Sequence, residues 1–294
     1  MTGTRRVFAL AVAAALSAAP DAKAAEPEVT TGMIAVATPA IYYESAGKGR
    51  PVILIHGGQL DRRIWDDQFM VLAREFRVVR YDVRGFGRSP AASAPWSPTG
   101  DLAALMDQLG IPKAELVGLS LGGRIAIDFA LEHPERVSSL VLAGPGLSGF
   151  DWSRDSDAGF AAILAAAQSG DPMRAADLWL TDPYMAPAME NPALAPRLRA
   201  LARENTACWL DNPLLEQAIT PPAAGRLASL KKPVLLVVGD RDVADIQRIV
   251  EKLEAEVAGA RKHVVRGAGH MVNMEKPEEF TRVVLEFLRA RSAS

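Results

Sequence analysis

Gly118-Leu119-Ser120-Leu121-Gly122 sets one serine hydroxyl between two glycines. That arrangement suits a nucleophile, because a tight turn can lift the hydroxyl clear of its own backbone. A serine hydroxyl is nevertheless a poor nucleophile at neutral pH and needs a base within hydrogen-bond reach. The base in turn needs an acid that holds its ring in the useful tautomer and stabilises the cation it becomes. The chain has four histidines. His270 follows the loop Gly267-Ala268-Gly269, which leaves its ring free to swing. His133 stands at a helix end before Pro134, and His263 falls inside a strand. Asp242 is the first choice for the acid, with Asp240 and Asp245 as alternatives on the same stretch.

The pentapeptide is common by chance, so the elements around it decide. Met33 to Val36 and Ile41 to Glu44 read as two short strands, followed by a turn at Gly47-Lys48-Gly49-Arg50-Pro51. Pro51 to Ile55 is a compact apolar run of the kind buried on both faces of a parallel sheet. A helical stretch from Ile64 to Ala73, a strand from Arg77 to Tyr81 and a helix starting at Ser97-Pro98 follow. Ala114 to Gly118 is a strand, Leu121 to Leu131 a helix, and Val137 to Ala143 another strand. The motif therefore falls at a strand-to-helix turn, where side chains in place of the glycines would collide with a neighbouring strand or helix. Strands at Val234 to Val238 and Lys262 to Val265 alternate with helices faced by Ile246, Ile249, Val250, Leu253 and Val257, then by Phe280, Val283, Val284, Phe287 and Leu288. This alternation predicts an α/β fold, a mostly parallel central sheet with helices on both faces. Right-handed crossovers put the strand C-terminal ends along one edge, where ligands are expected.

Between residues 146 and 230 the strand signal disappears, and helical pieces recur at Phe160 to Gln168, Ala175 to Leu180 and Leu194 to Leu210. Residues 25–145 and 231–294 are thus expected to form the core, with 146–230 as an inserted helical cap. Trp152, Trp179, Tyr184, Met185, Met189 and Trp209 are candidates to line a substrate pocket beneath it.

From about Gly32 onward the chain resembles the α/β-hydrolase superfamily, serine hydrolases with a helical cap. His56-Gly57-Gly58 after the third strand resembles that family's HG oxyanion segment. Asp82-Val83-Arg84-Gly85-Phe86-Gly87-Arg88-Ser89 resembles its D-x-R-G-x-G-x-S loop, in which Asp82 is expected to organise the loop through hydrogen bonds. Gly239-Asp240-Arg241-Asp242 and Gly267-Ala268-Gly269-His270 occupy the places of the acid and the histidine, and the order Ser, Asp, His is the one expected for this fold. The proline common shortly after the acid is missing, since Val243-Ala244 follow. The resemblance implies catalysis by Ser120, Asp242 and His270, with the backbone N–H groups of Gly58 and Leu121 as oxyanion donors. It implies no metal and no organic cofactor. The expected activity is that of a carboxylesterase or lactonase on small apolar substrates. Carbon–carbon bond hydrolysis and cofactor-free perhydrolase chemistry on the same triad are alternatives, as is a ligand-binding relative that does not turn over.

Composition narrows the partners to small molecules. A chain of 294 residues, 49% hydrophobic and 23% charged, with formal charge −2 and no basic run, is a poor nucleic-acid binder. The lone Cys208 forbids an intramolecular disulfide, and no His or Cys cluster has metal-ligand spacing. At the start, Arg5-Arg6, an uncharged apolar run from Val7 to Ala19, and Ala22-Lys23-Ala24 read as a secretory signal over residues 1–24. Thr4-Arg5-Arg6-Val7-Phe8 also resembles a twin-arginine export signal. The expectation is a secreted or periplasmic protein with no stable membrane anchor after cleavage, since the run is short for a bilayer span.

Overall fold

A computed structural model describes residues 26–35, 40–210 and 215–291, without the side chains of residues 154–157, 209 and 210. The segment read as a signal, residues 1–24, lies outside the described residues. The first half of the core holds strands β1 (Val29–Ile34), β2 (Ile41–Ala46), β3 (Pro51–Ile55) and β4 (Arg77–Tyr81), with helix α1 (Asp66–Ala73) between the last two. Helix α2 (Pro98–Gln108), strand β5 (Ala114–Leu119), helix α3 (Leu121–Glu132) and strand β6 (Val137–Ala143) complete it. Four helices then intervene: α4 (Arg154–Gln168), α5 (Pro172–Leu180), α6 (Ala186–Met189) and α7 (Ala195–Glu204). The chain returns to the sheet with β7 (Val234–Gly239), α8 (Ala244–Glu256) and β8 (Arg261–Val265), and closes with α9 (Val272–Glu275) and α10 (Pro277–Ala290).

The described strands form one eight-stranded sheet in the order β1-β2-β4-β3-β5-β6-β7-β8. β3 to β8 run parallel, while β1 and β2 make an antiparallel hairpin on the β4 edge. The first strand lies earlier than the apolar pattern suggested, at Val29–Ile34 rather than Met33–Val36. Its register against β2 pairs Val29 with Ala46 and Ile34 with Ile41, and most of its side chains are exposed. An edge strand with a solvated face carries little hydrophobic signal, so its pairing to β2 sets its limits. The long helix expected from Leu194 to Leu210 ends at Glu204, and a short 3-10 turn covers Thr206–Leu210.

Strand side chains alternate between two cores. Val52 and Leu54 of β3, Val78 of β4, Val117 and Leu119 of β5 and Val237 of β7 face the side covered by α1 and α10. Ile53, Ile55, Val79, Leu116, Leu236 and Val238 face the side covered by α2, α3 and α8. Each such Val, Leu or Ile contributes about 1.5–3 kcal/mol by leaving water, which is why the central strands are predominantly apolar on both faces. Ile163, Ala167, Ala176 and Leu198 of the inserted helices belong to the first core, so the insertion packs continuously onto the sheet domain.

The order of strands fixes where a site can form. From β3 the chain moves to β4 on one side, then crosses back through α2 to β5 on the other side of β3. β3 and β5 are neighbours whose following loops diverge, which opens a crevice at their C-terminal ends. His56-Gly57-Gly58 leaves β3 there, and Ser120 leaves β5.

Candidate active site

Ser120 has φ +51° and ψ −111°. Such a backbone costs about 1–3 kcal/mol for a residue with a Cβ and persists only where the surroundings enforce it. Here the Ser120 N–H donates to the Ala143 carbonyl at 2.9 Å, and the Ser120 carbonyl accepts from Gly146 N–H at 2.9 Å and Arg124 N–H at 3.0 Å. The glycines are required by space. A Cβ on Gly118 would fall on the Gly122 carbonyl, one on Gly122 on the Ile55 carbonyl, and one on Gly123 on Pro145. Although Ser120 stands at the N-cap of α3, its side chain makes no capping hydrogen bond, so the helix does not use up its hydroxyl.

His270 is buried on the loop after β8, and its Nδ1 lies 3.0 Å from both carboxylate oxygens of Asp242. Asp242 Oδ1 also accepts from Val243 N–H at 2.8 Å, which fixes the carboxylate to its own loop. The two alternatives serve elsewhere. Asp240 accepts from Gly267 N–H at 2.7 Å, and Asp245 bonds Ser153 and Arg248. The remaining histidines are placed away from this role: His133 stacks on Phe129, and His263 pairs with Glu279 on the sheet edge.

Gly144, at φ +44°, was not singled out by the sequence. A Cβ there would press to 2.9 Å from Asp242 Oδ2 and 3.2 Å from His270 Nδ1. It lets β6 end directly beside the acid–histidine pair, and the run Ala143-Gly144-Pro145-Gly146 was its only signal. Glu275, also unsought, accepts from Gly269 N–H at 2.9 Å and so pins the loop that carries His270. Burial raises the Glu275 carboxyl above its ordinary range, against the pull of the Gly269 and Met271 amides.

The oxyanion segment is held by His56. That ring is fully buried, its Nε2 accepts from Val83 N–H at 2.8 Å, and its Nδ1 lies 2.7 Å from the Gly57 carbonyl. A nitrogen that accepts cannot carry the proton, so the proton sits on Nδ1 and donates to Gly57. Burial lowers the His56 pKa, more than the nearby Asp82 raises it, which keeps the ring neutral. The peptide plane carries the consequence further: with the Gly57 carbonyl fixed, the Gly58 N–H must point the opposite way. Gly57 lies against Leu119 and Ser120, and Gly58 beside Leu121. The Leu121 N–H belongs to the first turn of α3, where amides have no intrahelical acceptor. Gly58 and Leu121 line the same cavity as Ser120.

Asp82 does organise its loop. Its carboxylate accepts from Arg62 N–H at 3.0 Å, Arg62 Nη1 at 2.9 Å and Arg88 N–H at 2.8 Å.

Ser120, His270, Gly58 and Leu121 line one cavity of about 670 Å³ between the sheet edge and the inserted helices. Of the aromatic residues chosen from sequence, Trp152, Trp179 and Tyr184 line it, and the Tyr184 ring meets the His270 ring edge-on with centroids 4.9 Å apart. Met185 does not line it. That side chain is wholly buried among the inserted helices, and Met189 packs against the same core. The cause is helical phase: Met185 caps a short helix whose apolar side turns to its neighbours. The side chain of Trp209 lies outside the described residues. Wall residues that sequence reasoning missed include Gln59, Phe86, Trp96 and Phe160, together with Arg124 and Glu216, which pair at 2.7 Å. The Glu216 loop is held by Trp96 N–H to the Leu215 carbonyl and Gln217 N–H to the Trp96 carbonyl, at 2.9 and 2.7 Å. Distant loops meeting through backbone bonds leave no local sequence pattern.

This topology and this arrangement define an α/β hydrolase, and comparison with known proteins agrees. Residues 52–283 match the model of the alpha/beta hydrolase family, so the chain belongs to that family and is a hydrolase. A 2-hydroxy-6-oxo-6-phenylhexa-2,4-dienoate hydrolase of Comamonas testosteroni is 31% identical over 270 residues, covering 85% of this chain and 92% of the relative. A Bacillus subtilis carboxylesterase is 28% identical over 252 residues, covering 81% of this chain and 79% of its own. Among solved structures, a thermophilic esterase from Thermogutta terrifontis superposes with TM-score 0.75 at 27% identity, covering 89% of this chain and 99% of that one.

Proposed function

We propose that this hydrolase cleaves small, largely apolar carboxylic esters or lactones, with Ser120 as nucleophile, His270 as base and Asp242 as its supporting acid. The observation that carries the reading is the shared cavity. The strained Ser120 and the Asp242-paired His270 both open onto it. As the Ser120 hydroxyl attacks the carbonyl carbon, its proton passes to His270 Nε2. The Gly58 and Leu121 amides receive the negative charge that appears on the carbonyl oxygen. His270 returns the proton to the leaving oxygen, the carbon–oxygen bond breaks, and an acyl-enzyme remains. Water then attacks that ester with His270 again as base, which releases the acid and restores Ser120. In a lactone the leaving hydroxyl stays on the acyl chain.

The aromatic and aliphatic walls support an apolar acyl group. Residues 146–230 act in this reading as a cap that selects what enters. Carbon–carbon bond hydrolysis is the second reading, favoured by the identity to the dienoate hydrolase. Labelling with a fluorophosphonate and turnover of a panel of esters, lactones and vinylogous diketones test the proposal. Labelling at Ser120, its loss in Ser120→Ala, and faster turnover of esters or lactones are expected. An unlabelled Ser120 removes the catalytic assignment, and exclusive turnover of diketones shifts it to the second reading. For residues 1–24 we propose export with cleavage after Ala24. Protein isolated from its source cell is then expected to begin at Ala25, and one retaining Met1 refutes that.

A further inference from the structure

Among the described residues two that are not glycine hold φ in the left-handed region, Ser120 at +51° and Gln59 at +60°, and both line the same cavity. The conformation of Ser120 is explained by the turn that presents its hydroxyl. That of Gln59 has no such account. It directly follows Gly57-Gly58, where glycine is already the residue in use, and glycine at 59 would escape the steric cost that a Cβ brings. The sequence keeps a glutamine instead, and its side chain gives the fold nothing in return: no described residue hydrogen-bonds its carboxamide. The charged groups on the cavity wall differ in this respect. Arg124 is paired to Glu216, and Arg84 holds Asp101 through two bonds at 2.8 and 2.9 Å. A residue that is strained, half-buried, unpaired within the fold and one position from an oxyanion amide has its polar atoms available to whatever binds at Ser120.

We propose that Gln59 is a substrate-contacting, specificity-determining residue, and that its carboxamide hydrogen-bonds a second polar group carried by the substrate near the scissile carbonyl. The inference rests on the hydrolase reading of Ser120 and narrows it: the substrate is a carboxylic ester or lactone whose acyl part bears a hydroxyl or oxo group. A carboxamide both donates and accepts, so it serves either group. The apolar walls bind the rest of the acyl chain.

The test compares ethyl butanoate with ethyl 3-hydroxybutanoate, two esters of similar intrinsic reactivity, by pH-stat on the full-length protein. A neutral hydrogen bond made to the substrate gives a preference of about three- to tenfold in kcat/KM for the hydroxy ester. In Gln59→Gly and Gln59→Ala this ratio falls towards one. Because the ratio is the readout, a general loss from disturbing Gly58 cancels. Gln59→Gly also raises Tm by about 2–4 °C through relief of the backbone, and Gln59→Ala, which keeps the Cβ, does not. A ratio unchanged in both variants overturns the inference while leaving the hydrolase reading intact, as does a Gln59→Gly that gains no stability. If Ser120 is not labelled by fluorophosphonate and neither ester is turned over, the hydrolase reading falls and takes this inference with it.

Discussion

Replacing Asp242 by asparagine tests whether the pair at the sheet edge works as a catalytic unit. The geometry allows the change without loss of fold, because the side-chain oxygen that accepts from Val243 N–H at 2.8 Å is retained. What is lost is the negative charge beside the imidazolium that forms as Ser120 gives up its proton. Asp242 lies 3.0 Å from His270 Nδ1, and its side chain is only 1% exposed, so solvent screening is weak. Charge centres about 4 Å apart at an effective dielectric of 20 interact by about 4 kcal/mol. At 1.36 kcal/mol for each tenfold in rate, that alone is about 10³ in kcat. An asparagine NH₂ facing Nδ1 also favours the wrong tautomer, which takes the expected loss to about 10³–10⁴. The matched control is Asp240→Asn, where an oxygen still accepts from Gly267 N–H and the loss stays below about tenfold. The assay is kcat and KM on a chromogenic butanoate ester, with Tm measured for both variants. An Asp242→Asn enzyme within tenfold of the parent refutes the assignment, and an equal collapse in Asp240→Asn with Tm intact moves the acid to that residue.

His56→Ala removes the ring that fixes the Gly57–Gly58 peptide, and is expected to lower kcat by about 10²-fold with KM changed far less; a loss confined to KM would show that His56 does not hold the oxyanion donor. Burial raises Asp128 to about 6 against the pull of the Ser148 hydroxyl and Arg124, so the folded state favours its proton and loses stability as pH rises from about 4 through 6. That amounts to about 3 kcal/mol by linkage, so Asp128→Asn is expected to raise Tm at pH 8 and not at pH 4, and equal effects at both pH values refute the cause. Asn205 donates to Asp61 at 2.8 Å and accepts from Gly87 N–H at 2.6 Å. Asn205→Ala therefore leaves Gly87 N–H without its acceptor and takes one bond from the Asp61 carboxylate, which keeps Arg63; it is expected to cost about 1–3 kcal/mol, read as a lower Tm together with faster proteolysis between residues 146 and 230.

The central strands were legible to within a residue because each carries an apolar run that stops at a glycine or a polar residue, His56 after β3, Asp82 after β4 and Gly144 after β6. β3, β4 and β6 coincide with their expected limits for that reason. Ser120, Asp242 and His270 were legible because each sits in a loop directly after a strand, where local sequence and position in the fold are tied. The cavity wall was not. Phe86 and Trp96 come from the loop between β4 and α2 and Glu216 from a distant one, and what brings Glu216 to Arg124 is a backbone pairing with Trp96 that any residue types could make. Met185 and Tyr184 are neighbours in sequence, yet one faces the packed helices and the other His270. A one-residue difference of phase in a short helical turn carries no periodic signal.

Strain in this molecule falls where the strand order opens the sheet. The crevice between β3 and β5 is formed because the chain leaves β3 on one side and returns on the other, so the loops after these two strands face each other across it. Ser120 lies on one of them and Gln59 on the other. Each keeps a backbone conformation that costs folding free energy, with glycines within two residues of it. Neighbouring packing enforces the serine: the backbone bonds from Ser120 N–H to Ala143 and from Gly146 and Arg124 to the Ser120 carbonyl leave it no other orientation. On the glutamine side the loop is bonded through Asp61, two residues on. Burial pushes its carboxyl up, but Arg63 and Asn205 outweigh this and hold it at about 2. It therefore stays ionised and bonded wherever the enzyme works, and anchors one end of the loop whose other end His56 holds through the Gly57 carbonyl. A scaffold that fixes both loops from behind can spend stability on their tips, and the tips are where a substrate carbonyl has to fit.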